Sequence, residues 1–223
     1  MKIAPEKFRF AALAVDVPVY GLINGKLHGL IAPVNRPPHY VNVEGFLGGM
    51  VDAKENALEA AQRVLQEKGN LKDVYLEQLY TFSEVDRDKR NRVVSVAHLG
   101  LVRPDTAAAY AHPHAHFVPI QKLHDLAYDH DEIHRAALAR LRGNITHSTI
   151  AQFLLPRHFT LTELQSLYEM ILGHELDKRN FRKKILALEI LKDTGRMQEG
   201  VRNRPAALYT FTTTKLQELP LIA

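Results

Sequence analysis

Five basic residues fall within one short helical pattern: Lys178, Arg179, Arg182, Lys183 and Lys184. Helical geometry puts Arg179, Asn180, Arg182 and Lys183 on a broad polar face, opposite Phe181, Ile185 and Leu188. A recognition helix needs this division, with an apolar side anchored in its own domain and donors turned toward a groove. Arginine can pair with guanine and asparagine with adenine at major-groove edges, and a helix N-terminus favours phosphate. Leu186 interrupts the polar face. The plain alternative is a solvated lysine-rich helix.

The elements that would position this helix come in a telling order. Thr160 is placed to cap a preceding helix, with Glu163 as its reciprocal partner and Phe159 and Leu164 as a hydrophobic staple. Leu161, Leu164, Leu167, Tyr168 and Ile171 form its buried stripe, and Gly173 ends it. Asp177 then caps the basic helix, with Leu176 and Phe181 as staple. Gly195, Gly200, Pro205 and the segment ALYTF predict a closing β-hairpin that carries Arg202 and Arg204. Helix, turn, basic helix and hairpin make a winged helix, assigned to residues 146–223. From Ala151 onward 11 Lys/Arg face 8 Asp/Glu, so most of the chain's net charge of +4 lies here. Such concentration is the electrostatic footprint of a nucleic-acid reader.

Residues 1–145 have a different character. FRFAALAVDV (8–17) and LHGLIAPV (27–34) predict strands joined as a hairpin through Asn24-Gly25, and 35–48 reads as a loop. Asn56 with Glu59 predicts a capping box, and Leu58, Ala61, Val64 and Leu65 recur on one helical face behind it. VYLEQLYTFS and VVSVAHLGLV predict further strands, and Asp131–Arg142 a helix. The fold class is therefore α+β. Composition is that of a globular protein, 46% hydrophobic and 24% charged, and no apolar run is long enough to span a bilayer. There is no cysteine, hence no disulfide or thiolate chemistry, and MKIAPEKFRF lacks the order of a signal peptide. The expected compartment is the cytoplasm.

GGMVDAKENALEAAQRVLQEKGNL, Gly48 to Leu71, resembles the Nudix box, the loop–helix–loop motif of diphosphate hydrolases. Gly49, Glu55, Arg63, Leu65 and Glu67 stand where the motif requires them. Two further carboxylate positions hold Val64 and Lys68, and the late glycine position holds Asn70. In the family, helix carboxylates at i, i+3 and i+4 gather magnesium on the substrate diphosphate. Here that trio is Val64, Glu67 and Lys68. RDKRNRVVSVAHLGLV, LAYDHDEIHRAALARLR and LTELQSLYEMILGHELDKRNFRKKIL resemble, in order, later segments of one subgroup: the NrtR-type Nudix-related transcriptional regulators. Where relatives commonly show Trp-Ala-Leu-Pro-Gly-Gly, this chain has Glu44-Gly-Phe-Leu-Gly-Gly49.

The resemblance implies an N-terminal Nudix-like α/β/α sandwich and a C-terminal winged helix. It implies a repressor that binds a palindromic operator as a homodimer and answers to an effector such as ADP-ribose, with NAD or sugar metabolism genes as targets. Carried over, Lys178, Arg179, Asn180, Arg182, Lys183, Lys184, Arg202 and Arg204 would contact double-stranded DNA. Gly48, Gly49, Glu55 and Glu67 would hold the effector. No catalytic residue, metal site or cofactor is assigned. The alternative is an active hydrolase of ADP-ribose or a related nucleoside diphosphate, drawing carboxylates from elsewhere, such as Glu44 or Glu84. A third reading is a module whose basic helix meets an acidic partner. His112, His114 and His116 alternate, and in a strand they would share a face suited to zinc or nickel. Their Pro/Ala context predicts a solvent-facing loop instead. His130 is expected to cap or support the helix that follows it.

Overall fold

A computed structural model describes residues 10–199 and 205–221. Arg202 and Arg204 lie outside the described residues. The chain forms two compact units. One holds the chain up to Val19, Gly29–Gly100 and Tyr110–Ala137, and the other holds Tyr20–His28, Leu101–Ala109 and the chain from Leu138. No described helix is long and apolar enough to cross a membrane.

In the first unit the apolar run Ala12–Val17 forms strand β1. It pairs antiparallel with β5 (Leu47–Met50), setting Asp16 opposite Gly48, and parallel with β7 (Val93–Val102), setting Ala14 opposite Ser95. Strand β6 (Tyr75–Phe82) lies on β7. Strand β3 (Lys26–Arg36) pairs antiparallel with β4 (Tyr40–Gly45), and β8 (His116–Pro119) lies on β3. Helix α1 (Ala57–Gly69) packs on β5 and β1. Its capping box forms as expected: Asn56 Oδ1 accepts from the N–H of Leu58 and Glu59, and Glu59 Oε2 accepts from the N–H of Asn56. Ala60, Ala61, Val64 and Leu65 are buried, whereas Leu58 stays exposed.

Two parts of the expected strand plan change. Asn24-Gly25 does not join 8–17 to 27–34. It joins β2 (Val19–Ile23) to β3, with both turn residues at positive φ as a two-residue hairpin turn requires. Pro18 separates β1 from β2 and Gly21 breaks the β-branched pattern, which hid the second strand. A Cβ at Gly21 would come within 2.8 Å of Ala107 and Val102, so close packing rather than turn formation demands glycine there. Residues 35–48 are also not a loop. They contain the turn 37–39 and most of the β3–β4 hairpin, with Arg36 opposite Tyr40. Pro104 starts a short helix, α2 (Pro104–Ala109), at the position where a missing N–H costs nothing. The helix expected over 131–142 extends to α3 (His130–His147).

In the second unit, helix α4 (Leu161–Leu172) begins at the expected capping box: Thr160 Oγ1 accepts from the Glu163 N–H, and Glu163 Oε2 accepts from the Thr160 N–H. Gly173 ends it at φ 81°. Helix α5 (Lys178–Ala187) is capped by Asp177, whose Oδ1 accepts from the Asn180 N–H at 2.8 Å. Strands β9 (Leu191–Met197) and β10 (Ala207–Phe211) form the antiparallel hairpin. A bridge between Phe159 and Tyr209 ties it to the entry of α4, with the Phe159 and Phe211 rings 5.2 Å apart.

Because Thr160 is buried and satisfies two backbone donors of α4 with Glu163, Thr160→Ala should lower stability by about 1–2 kcal/mol. The urea midpoint should fall with the m-value unchanged. A midpoint equal to wild type would show that the cap contributes nothing to the folded state.

Candidate nucleic-acid interface and effector cleft

The turn between α4 and α5 is fixed by side chains. Glu169 Oε1 accepts from the Leu176 N–H at 3.0 Å and from Gln165 Nε2 at 2.9 Å, and Gln165 Nε2 also donates to the Leu176 carbonyl. These bonds hold the Glu169 carboxyl below its ordinary pKa, the Leu176 N–H contributing most and Gln165 next. Phe181 and Ile185 are buried, and Phe181 meets Tyr168 of α4 edge-on at 5.1 Å. One face of α5 is thereby anchored.

Lys178, Arg179, Asn180, Lys183 and Lys184 are exposed along the rest of α5. Arg182 is placed differently. It is half-buried and donates from Nη2 to Thr162 Oγ1 at 3.0 Å, so in this arrangement it braces α5 against the first turn of α4. Leu188 is half-buried and caps the C-terminus, and Leu186 is exposed on the polar side. Lys192 and Arg196 on β9 add exposed charge to the hairpin.

The cleft of the first unit is a cavity of about 360 Å³. Gly48 and Gly49 line it, and their lack of side chains has a cause. A Cβ on Gly48 would collide with Asp16 Oδ1, and one on Gly49 would lie 2.8 Å from Val64 Cγ2. Glu55 and Glu67, expected beside the effector, do not line the cavity. Arg63 takes both. Its Nε and Nη2 donate to Glu55 at 2.9 and 2.6 Å, and its Nη1 lies 3.2 Å from Glu67 Oε2. Those bonds, with one from the Asp52 N–H, bring the Glu55 carboxyl down to about 2. Arg63 also donates to the Met50 carbonyl, so the group pins the loop between β5 and α1.

Built into the wall of the cleft is a buried network that the motifs did not announce. Asp16 Oδ2 accepts from Ser95 Oγ at 2.7 Å and from Arg87 Nη2 at 2.9 Å. Arg87 also donates to both oxygens of Asp129, at 2.8 and 2.6 Å. His130 Nδ1 accepts from the Phe46 N–H, which leaves the ring proton on Nε2, 3.3 Å from Asp16 Oδ1 and poorly aligned with it. His130 thus anchors the β4–β5 junction rather than capping α3. Burial acts to raise the Asp16 pKa. His130, Arg87 and Ser95 outweigh it and hold the carboxyl well below the carboxylate range. The available signal was one acid inside the apolar strand ALAVDV, since a lone buried carboxylate demands partners.

At the cavity rim Arg90 pairs with Asp88 at 2.7 Å and lies over the rings of Tyr40 and Tyr128, 5.9 and 5.4 Å from their centroids. Glu44 and Glu84 do not line the cavity, and Glu44 lies 3.3 Å from His116 Nε2. The other two histidines of that run make a turn, with His112 Nδ1 accepting from the N–H of His114 and Ala115.

Arg87→Met would leave Asp16 and Asp129 buried without their cation, and should cost about 3–5 kcal/mol at neutral pH. Asp16 has a folded-state pKa below its unfolded value. Its contribution is therefore complete above the unfolded value of about 4 and is lost as pH falls through the folded one. The gap in urea stability between wild type and variant should narrow as pH drops from neutrality toward 3. A pH-independent gap would show that Arg87 acts through packing alone.

Residues 13–141 match the NUDIX domain, and residues 151–211 match the NrtR DNA-binding winged helix domain. The chain is 32% identical over 209 residues to the ADPR responsive transcriptional repressor NtrR of Acinetobacter baylyi, covering 89% of this chain and 81% of that protein. The crystal structure of Shewanella oneidensis NrtR complexed with a 27mer DNA superposes with a TM-score of 0.77 at 28% identity, over 90% of this chain and 93% of that one. A MutT/nudix family protein from Enterococcus faecalis shares the fold, with a TM-score of 0.74 at 22% identity over 93% of this chain and 90% of its own. With an N-terminal Nudix domain and a C-terminal winged helix, this chain belongs to the NrtR-type family of Nudix-related transcriptional regulators.

Proposed function

We propose that the protein is a sequence-specific DNA-binding repressor, residues 146–223 reading the operator and residues 1–145 sensing ADP-ribose or a close chemical relative. The observation that carries the reading is α5. Lys178, Arg179 and Asn180 stand exposed in its first turn while Phe181 and Ile185 fix the opposite face. A helix held this way presents its N-terminal donors to base edges. Lys183, Lys184 and the hairpin cations serve the phosphates. One such helix per chain suits a homodimer on a palindromic operator, and a DNA reader of this kind works in the cytoplasm. The name of the Acinetobacter baylyi relative supports ADP-ribose as effector, and the family resemblance suggests genes of NAD or sugar metabolism as targets.

The Nudix domain acts here as a receptor and not as a hydrolase. Of the helix carboxylate positions, Val64 is buried and has no oxygen to offer, Lys68 is a cation, and Glu67 is engaged by Arg63. An effector that binds the DNA-free arrangement more tightly draws the population away from the operator, by its difference in affinity for the two states.

Selection from a random duplex pool should enrich one palindromic sequence, and ADP-ribose should release it. Arg179→Ala should weaken binding to that sequence by about 1–3 kcal/mol and relax discrimination at one base pair. Lys183→Ala should weaken all duplexes alike and reduce the salt slope by about 1. A pool that yields no preferred sequence, with binding that only fades as salt rises, would overturn the reading of α5 as a recognition helix.

A further inference from the structure

The charges around the cleft are unevenly partnered. Arg63 is neutralised by Glu55 and Glu67, Arg87 by Asp16 and Asp129, and Arg90 by Asp88. Two cavity-lining cations remain. Lys68 donates from Nζ to the Gly48 carbonyl at 2.5 Å, and Arg36 donates from Nη1 to the Asn35 carbonyl at 2.9 Å. Neither makes an ion pair among the described residues.

Magnesium does not fit the residues present. Lys68 brings a positive charge to the place where the family resemblance puts a metal-binding carboxylate. Glu67 and Glu55 are held by Arg63 outside the cavity lining. Asp16, Asp129 and His130 do offer ligand atoms within 4.8 Å of one another. Arg87 already donates to both of those carboxylates and supplies their counter-charge from the protein itself.

We propose that the cleft binds the diphosphate group of its effector without a divalent cation, Lys68 and Arg36 supplying the charge that the metal supplies elsewhere in the fold. This rests on the reading of the effector as a nucleoside diphosphate and names how that same site holds it. Two uncommitted cations match the two negative charges of a diphosphate. The Lys68 amine keeps donors beyond the one used on Gly48, and the Arg36 guanidinium offers further N–H groups for phosphate oxygens. Partial burial, with the charges of Arg36 and Arg63 next in size, already depresses the Lys68 pKa. An arriving anion relieves that repulsion.

Calorimetric titration of the full chain with ADP-ribose and with inorganic pyrophosphate, each in EDTA and in magnesium, tests this. Wild type should bind ADP-ribose with the same affinity in both buffers. Lys68→Met and Arg36→Gln should each lose about tenfold or more in both, the scale of one charge-assisted hydrogen bond. Lys68 and Arg36 line the open cleft and each makes one bond to a main-chain carbonyl, so neither change threatens folding. Lys68→Glu should bind poorly in EDTA and recover in magnesium. ADP-ribose binding by wild type that requires magnesium overturns the proposal while leaving the effector reading intact. Full affinity in both Lys68→Met and Arg36→Gln overturns it as well. Pyrophosphate bound in EDTA without any uptake of ADP-ribose supports the metal-free site and removes ADP-ribose as the effector. Binding of neither compound in EDTA overturns the proposal.

Discussion

The first unit is organised around one buried charge. Asp16 sits in an apolar strand with only 7% of its surface exposed, and an ionised carboxylate there survives only with partners. It recruits Ser95 from β7 and Arg87 from the β6–β7 loop, and Arg87 in turn fixes Asp129 at the entry to α3. His130 follows in sequence and holds the backbone of Phe46, where β4 passes into β5. The glycines answer to the same group. Gly48 has no room for a Cβ beside Asp16 Oδ1, and a Cβ on Gly45 would lie 2.7 Å from His130 Nδ1. A buried ion cluster of this kind adds little net stability over a well-packed apolar one. What it does supply is position: it holds the Arg87 loop, the entry to α3 and the β4–β5 junction around one carboxylate.

The second unit solves a similar problem with hydrogen bonds between side chains and main chain. The residues between α4 and α5 must turn the chain without leaving buried donors unpaired. Gln165 and Glu169, one turn apart on α4, satisfy both the N–H and the carbonyl of Leu176. Asp177 then starts α5 by accepting from the Asn180 N–H. The Tyr168–Phe181 contact sets how α5 lies on α4, and Arg182 adds a polar brace at Thr162. The exposed first turn of α5 is thus presented by a rigid local frame, which leaves only side-chain freedom to be lost in the groove contact proposed for it.

Local signals were legible in the sequence wherever one residue's chemistry decides the structure. Asn56/Glu59 and Thr160/Glu163 cap where they were expected because a capping box needs only residues three apart. Gly173 likewise ends its helix alone. What stayed hidden depends on pairs distant in sequence. Nothing near Arg87 indicates that it faces Asp16, 71 residues away. The joining of the hairpins is hidden for a related reason: Asn24-Gly25 marks a turn, but which strand precedes it depends on Pro18 ending β1 early. The Arg63–Glu67 pair, by contrast, is local, at i and i+4 on one helix, and its hold on Glu67 is legible in the sequence. Arg182 shows the limit of helical periodicity. Its place on the wheel is polar, yet a neighbouring helix offers a hydroxyl within reach, and the side chain folds onto it.

Replacing a metal site by fixed side-chain cations changes what a fold can do with the same ligand. A divalent ion on a diphosphate both neutralises it and activates water, so binding and cleavage come together. An ammonium and a guanidinium neutralise without delivering a nucleophile. A cleft that holds its diphosphate through Lys68 and Arg36, as proposed, would keep the recognition and drop the reaction. A sensor gains from that separation, because the coupling between effector and operator is an equilibrium quantity. If the cleft consumed its effector, occupancy would depend on turnover as well as concentration, and the DNA response would no longer report the metabolite alone. The loss of oxygen at Val64, the reversal of charge at Lys68 and the capture of Glu67 by Arg63 all act in this one direction.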